Sequence, residues 1–245
     1  MKRRIAWVTG ASHGIGRAIA LRLGRDGLAV AVGYHKGEDA AEEVVAEITS
    51  AGGKALAVGG DLGTEKGVEG AHKKVVEGLG PVSVLVANHG AYRRTTFDEL
   101  GLDEWQRGLS INLTGPFLLT RRVLPTMREQ GWGRLVYTGS IRGRTGSSHG
   151  AHYAAAKAAL VGLARSVANE AGADAVTANV VAPGMIDTRV LAGWDEEKRE
   201  ARANDVPLKR LGRPEDVAGV VAWLASEDAS YVSGAVVPVD GAWSG

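Results

Sequence analysis

Cysteine does not occur anywhere in this chain of 245 residues. Its absence excludes a disulfide framework, thiolate catalysis and any metal site that depends on Cys ligands. A charge surplus is missing too: 29 Lys and Arg stand against 28 Asp and Glu, a formal net charge of +1. So even a balance gives no electrostatic footprint for nucleic acid or for an anionic membrane surface. No apolar run approaches the roughly 18 residues of a membrane helix. The amino terminus enters its first apolar stretch at once, without the long hydrophobic segment of a signal peptide, and a cytoplasmic location is expected. The six histidines show no ligand spacing such as H-E-x-x-H, so no metal is expected. Gly139-Ser140-Ile141-Arg142-Gly143 is not G-x-S-x-G, which removes the hydrolase nucleophile elbow. Repeats, low-complexity segments and linkers are also lacking, which predicts one domain over residues 1–245.

What is present is a globular balance, 44% hydrophobic and 23% charged, enough for a sizeable core. Short Val-, Ile-, Leu- and Ala-rich runs occupy 5–9, 29–33, 55–58, 82–87, 134–138, 176–181 and 235–239. Most lack polar alternation, as strands covered on both faces of a parallel sheet do. Amphipathic segments near 14–26, 38–51, 65–79, 103–130, 152–171 and 214–226 alternate with them. The pattern predicts a single-domain, doubly wound α/β fold of the Rossmann kind, with seven parallel strands and helices on both faces. Pro238 lacks an N–H and places the last strand at an edge. Residues 188–206, polar and rich in Glu and Arg, read as a helical excursion and a mobile lid over a site.

Thr9-Gly10-Ala11-Ser12-His13-Gly14-Ile15-Gly16 follows the first strand and opens the first helix. Glycines there permit a tight turn and close approach of the backbone to a pyrophosphate, with helix N–H groups facing it. The spacing is G-x-x-x-G-x-G, distinct from G-x-G-x-x-G. The second strand ends at Tyr34-His35-Lys36, where a carboxylate would accept from a ribose 2′-hydroxyl. Cationic and donor groups in its place suit a 2′-phosphate, so NADP(H) is favoured over NAD(H). Farther along, Tyr153 and Lys157 stand one helical turn apart, on one face. A nearby ammonium is expected to lower the phenol's pKa toward the working range. Ser140, at the carboxyl end of a strand, is expected to polarise a carbonyl oxygen.

Together Thr9–Gly16, Asp61, Asn88 with Gly90, Asn112, Ser140, Tyr153 with Lys157, and Pro183-Gly184 resemble the short-chain dehydrogenase/reductases along essentially the whole chain. The likeness is strongest to the 3-oxoacyl-(acyl-carrier-protein) reductase group. The resemblance implies a catalytic set of Asn112, Ser140, Tyr153 and Lys157. Tyr153 would be the proton donor and Ser140 the partner of the substrate oxygen. Lys157 would hold the nicotinamide ribose, and Asn112 would anchor a water linking Lys157 to solvent. Cofactor contacts would come from Gly10, Ser12, His13, Gly14, Ile15 and Gly16 and from Tyr34, His35 and Lys36. Asp61 with Leu62, Asn88 and Gly90, Pro183 and Gly184, and Ile186 and Thr188 would supply the others, besides Tyr153 and Lys157 themselves. Asp61 would lie at the adenine, and Ile186 and Thr188 at the carboxamide. It also implies a homotetramer, with the helices near 103–130 and 152–171 at one interface.

The implied activity is NADPH-dependent reduction of a carbonyl, with a 3-oxoacyl thioester or polyketide-like compound as substrate. Oxidation of a secondary alcohol (a sugar, steroid or secondary metabolite) is the alternative within enzymes. A catalytically silent dinucleotide sensor is the alternative outside them. The chain departs from the family pattern at His89, where Asn-Asn-Ala-Gly is usual, and a space-filling role is expected there. Gly131 and Asp174 stand where carrier-protein reductases tend to be basic. Arg93, Arg94, Arg142, Arg144 and His149 are expected around the pocket mouth instead.

Overall fold

The computed structural model describes residues 3–243, the side chain of Val190 excepted; the extreme ends of the expected domain, 1–2 and 244–245, lie outside the described residues. Seven strands run in chain order as β1 Ile5–Val8, β2 Ala29–Tyr34, β3 Lys54–Gly59, β4 Val84–Ala87, β5 Gly133–Thr138, β6 Val176–Pro183 and β7 Val236–Val239. They form one sheet in the order β3-β2-β1-β4-β5-β6-β7, and every neighbouring pair is parallel. The winding direction reverses between β1 and β4. A crevice opens at such a reversal beyond the carboxyl ends of the strands, which is where ligands bind in these sheets.

The helices are α1 Gly14–Arg25, α2 Glu38–Ser50, α3 Glu65–Gly78, α4 Leu102–Leu109, α5 Gly115–Glu129, α6 Arg142–Thr145, α7 Ala151–Ala171, α8 Glu196–Asp205 and α9 Pro214–Leu224. The period-2 geometry of β1 sends Ala6 and Val8 to one core, and Ile5 and Trp7 to the other. Ile19 and Leu23 of α1, Val44 and Ile48 of α2, and Val217 and Val221 of α9 cover the first face. Val68 and Val75 of α3, Leu119 and Val123 of α5, and Leu160 and Ala164 of α7 cover the second. Central strands β5 and β6 are buried at every residue. The edges differ: β3 begins on exposed Lys54, and β7 carries exposed Pro238, both of which discourage further strand pairing.

One expected helix is interrupted. The segment foreseen over 103–130 contains a π turn, Ser110–Thr114, between α4 and α5. Gly115 N–H bonds to Ser110 O, five residues back, and Pro116 has no N–H to continue an α-helical ladder. Asn112 sits inside that turn. The 188–206 excursion also has shape: α8 buries no residue, while Leu191 and Val206 anchor its two ends in the protein. Arg199 ties α8 back, pairing with Asp187 at 2.7 Å and donating to Leu191 O at 2.9 Å.

At the amino-terminal edge of the sheet, Arg134 is buried and donates to the carbonyls of Gly133, Ala175 and Ser226. Its guanidinium stacks on Trp132, which Arg4 covers from nearby, and Glu227 pairs with both cations. This cluster of two guanidinium groups and one carboxylate lies far from the crevice end of the strands.

Candidate active site

Every proposed site residue lies just beyond the carboxyl end of a strand or on an element packed against those ends. After β1 the chain turns through Gly10, Ser12 and His13 into α1. His13 is the N-cap residue, yet its side chain caps nothing and the first turn holds no carboxylate. The leading N–H groups of α1 are therefore free of any side-chain anion, as a phosphate-binding terminus requires. Gly14 has φ +52°, and a Cβ there would meet Thr188 Cγ2 at 3.3 Å. A Cβ on Gly16 would stand 2.1 Å from Gly10 O and 2.6 Å from Asn88 Nδ2, so no larger residue fits. Ile15 is only partly buried beside them.

Thr9 and Asn88 hold this turn to β4. The Thr9 hydroxyl accepts the N–H groups of Asn88 and His89 at 3.0 and 3.1 Å and contacts His89 Nδ1 at 2.8 Å. Asn88 Nδ2 donates to Thr9 O and Gly10 O, both at 3.1 Å, and its Oδ1 accepts from the Thr138 hydroxyl at 3.2 Å. One amide thus links the ends of β1, β4 and β5. His89 turns away toward α5, where a Cβ on Gly115 would lie 2.7 Å from its Nε2. That nitrogen is buried without an aligned partner. Burial and the Lys157 charge push the imidazole down to about 3, the Ile111 carbonyl and Asp61 opposing only in part.

Two expected cofactor residues are partly engaged elsewhere. Tyr34 packs its ring on Gly59, and the Glu38 carboxylate beside its hydroxyl, together with burial and Glu42, pushes the phenol up to about 12. The hydroxyl therefore faces an acid and is not the free donor anticipated for a 2′-phosphate; His35 and Lys36 remain exposed beside it. The Asp61 carboxylate accepts Gly63 N–H at 3.1 Å in a local turn, while the Leu62 side chain is buried in the core.

Around the residues expected to be catalytic, burial decides the electrostatics. Lys157, 4% exposed, donates to Thr138 O at 2.7 Å and lies 5.5 Å from the Tyr153 ring. Burial pushes its ammonium down to about 8. The Tyr153 phenol is raised by its own burial, with the Ser140 hydroxyl and the Arg142 charge opposing in part. The expectation that Lys157 lowers the phenol is thus corrected for the protein alone: the ammonium is aimed at the Thr138 carbonyl, and desolvation outweighs the favourable charges. Ser140 Oγ accepts Arg142 N–H at 3.1 Å. Asn112 is buried; its Nδ2 donates to Ala91 O and Gly108 O, and its Oδ1 accepts Ala91 N–H. Gly90 lies between, since a Cβ there would come 2.7 Å from Asn112 Oδ1 and 3.4 Å from Lys157 Nζ. Tyr92 meets the Tyr153 ring edge-on at 5.3 Å and bonds to His149 O.

Beyond β6, Gly184 packs against Asp240, Ile186 is buried and bridges Gly212, and Thr188 caps nothing with its side chain. Pro183 closes β6, and its carbonyl accepts Ile141 N–H at 3.1 Å. A cavity of about 290 Å³ lies behind this segment, lined by Met185, Ile186, Val206, Leu208, Pro238 and their neighbours. It includes none of Asn112, Ser140, Tyr153 and Lys157. Sequence reasoning did not single out Thr138 or Tyr92. A polar residue closing an apolar strand was a signal for the first; nothing local marked the second. Among the described residues no group of His, Asp and Glu could hold a metal, and no helix is long and apolar enough to cross a membrane.

Residues 10–244 match the family model described as Enoyl-(Acyl carrier protein) reductase. The chain belongs to the short-chain dehydrogenase/reductase family. It is 42% identical to the 3-oxoacyl-[acyl-carrier-protein] reductase MabA of Mycobacterium tuberculosis, over 97% of this chain and 92% of that protein. Identity to the 3-oxoacyl-[acyl-carrier-protein] reductase FabG of Pseudomonas aeruginosa is 39%, covering 98% and 97%. Among solved structures, a candidate NAD(P)-dependent gluconate 5-dehydrogenase from Beutenbergia cavernae, with NADP bound at low occupancy, is similar at TM-score 0.91. It shares 38% identity over 98% of this chain and 96% of that one. Acetoin dehydrogenase YohF from Salmonella typhimurium also superimposes at TM-score 0.91, with 32% identity over 98% and 96%. The protein is a nicotinamide-dependent oxidoreductase acting on CH–OH and C=O groups.

Proposed function

We propose that this member of the family is an NADPH-dependent ketoreductase, acting on a 3-oxoacyl thioester or a related carbonyl compound, with Tyr153 as proton donor. The observation that carries the reading is the convergence of Ser140, Tyr153 and Lys157 at the carboxyl end of β5, beside an uncapped helix N-terminus. A silent dinucleotide sensor would have no use for that trio. The cradle fits a dinucleotide: Gly16 admits no Cβ, Gly14 abuts Thr188, and the first turn of α1 offers N–H groups without a carboxylate. Residues 10–16 would hold its phosphates, His35 and Lys36 the 2′-phosphate, Asp61 and Leu62 the adenine end. Asn88 and Gly90 would flank the adenosine ribose, and Pro183, Gly184, Ile186 and Thr188 would line the nicotinamide half. When bound, NADPH supplies the hydride for the carbonyl carbon.

This chain's residues manage the oxygen. Negative charge grows there as the carbonyl is reduced, and donors fixed in advance stabilise it without reorganising. The Ser140 hydroxyl would donate to the oxygen, and Tyr153, held protonated by burial, would deliver the proton. Lys157 would hold the cofactor ribose, and Asn112 would anchor a water leading from Lys157 to solvent. Segment 188–206 would close over the substrate as a lid. The enzyme would work in the cytoplasm as a homotetramer. The gluconate and acetoin enzymes among its structural relatives favour a second reading, oxidation of a secondary alcohol. Loss of NADPH absorbance with acyl thioesters and small ketones, against gain of absorbance with NADP and secondary alcohols, tests one against the other. No consumption of NADPH with any ketone would refute the reductase reading.

A further inference from the structure

Arg142 stands where its charge bears on the reacting oxygen. It lies two residues past Ser140 and gives that hydroxyl its backbone N–H at 3.1 Å. The guanidinium extends over Trp243, 6.0 Å from the ring centroid, so the segment after β7 helps to orient it. Its charge is among those felt at the Tyr153 phenol. Yet Arg142 has no ion-pair partner among the described residues, whereas Arg93 beside the same mouth is already paired with Glu104 at 3.3 Å. Arg94 and Arg144 also lack carboxylate partners among the described residues, and His149 is bonded to Ser148. A cation held beside the catalytic hydroxyls, with no acid paired to it among the described residues, is available to an anion arriving with the substrate. A guanidinium suits that task because its planar fork matches carboxylate and phosphate oxygens.

We propose that Arg142 determines specificity, selecting carbonyl substrates that carry an anionic group, a carboxylate or a phosphate, which it meets while the carbonyl lies at Ser140 and Tyr153. The inference rests on the ketoreductase reading. Trp243 helps to orient the guanidinium through a cation–π contact, and the arginines without carboxylate partners among the described residues draw the anion toward it.

Two matched pairs of substrates test this: 4-oxopentanoate with its methyl ester, and acetoacetyl-coenzyme A with acetoacetyl-N-acetylcysteamine. In each, only one member is anionic away from the carbonyl. For the parent enzyme and for Arg142→Gln, Arg142→Lys and Arg142→Glu, kcat/KM is measured by NADPH absorbance, with thermal melts to verify folding. The parent is expected to favour the anionic member. Arg142→Gln should reduce the anionic-to-neutral ratio about ten- to a hundredfold, the usual effect of losing a charge-assisted contact. Arg142→Lys should retain part of the preference, and Arg142→Glu should reverse it. A response in the first pair identifies a carboxylate, and one confined to the second identifies the coenzyme phosphates. An unchanged ratio in both pairs, in folded Arg142→Gln and Arg142→Glu that still turn over, overturns the inference and leaves the ketoreductase reading intact. Failure of the parent to reduce all four overturns the ketoreductase reading, and the inference falls with it.

Discussion

Replacing Tyr153 by Phe removes one oxygen from a largely buried ring and leaves the rest of the side chain in place. The edge-on contact with Tyr92 at 5.3 Å survives, because it belongs to the rings. Ser140 Oγ keeps the Arg142 N–H, so no polar group is stranded. The phenol loses its hydrogen bond with the Ser140 hydroxyl, while burial already disfavours its charged form, so stability should fall by only about 0.5–1.5 kcal/mol. Catalysis should respond very differently. Without the hydroxyl, the charge growing on the carbonyl oxygen meets Ser140 alone. Loss of a positioned general acid lowers turnover by about 10²–10⁴, or roughly 2.7–5.4 kcal/mol in the barrier at 1.36 kcal/mol per decade. Three measurements on one preparation separate the effects: a thermal melt, a fluorescence titration with NADPH, and turnover of one accepted ketone. Near-parental melting and cofactor affinity with severely reduced turnover is the expected result. Turnover within a few-fold of the parent, in folded Tyr153→Phe, would refute the assignment.

The His89 imidazole titrates near 3 when folded and near 6.5 when unfolded, so the unfolded chain binds more protons between those values and stability falls as pH drops through that window. The slope should reach about 1.4 kcal/mol per pH unit, and His89→Asn should flatten it in melts run from pH 7 to 4. Lys36→Ala should weaken NADPH binding about ten- to a hundredfold and leave NADH nearly unaffected, as read by fluorescence titration. Gly16→Ala drives a methyl group into Gly10 O and Asn88 Nδ2, and a loss of about 1–3 kcal/mol in denaturant melts, with impaired cofactor binding, is expected. Sedimentation at micromolar concentration should give four times the chain mass; a single-chain mass would exclude the tetramer.

Much of the architecture was legible in the sequence because it follows from local periodicity. A strand without polar alternation at 29–33 could be buried only between two helical layers, and the structure buries it so. Pro238 marked an edge because a missing N–H in the middle of a strand is best tolerated there. The glycines of residues 10–16 announced a close backbone approach, since a Cβ is the one thing such a turn excludes. The spacing of Tyr153 and Lys157 set them on one helical face before any contact was known. Tertiary structure decided what those groups experience. Burial raises the Tyr153 phenol and pushes the Lys157 ammonium down to about 8, because desolvation depends on atoms remote in sequence. Glu38 beside Tyr34, Trp243 beneath Arg142 and Gly115 against His89 are likewise meetings of distant segments. The order of residues sets which chemical groups line the crevice; only packing sets their charge, their partners and the direction they face.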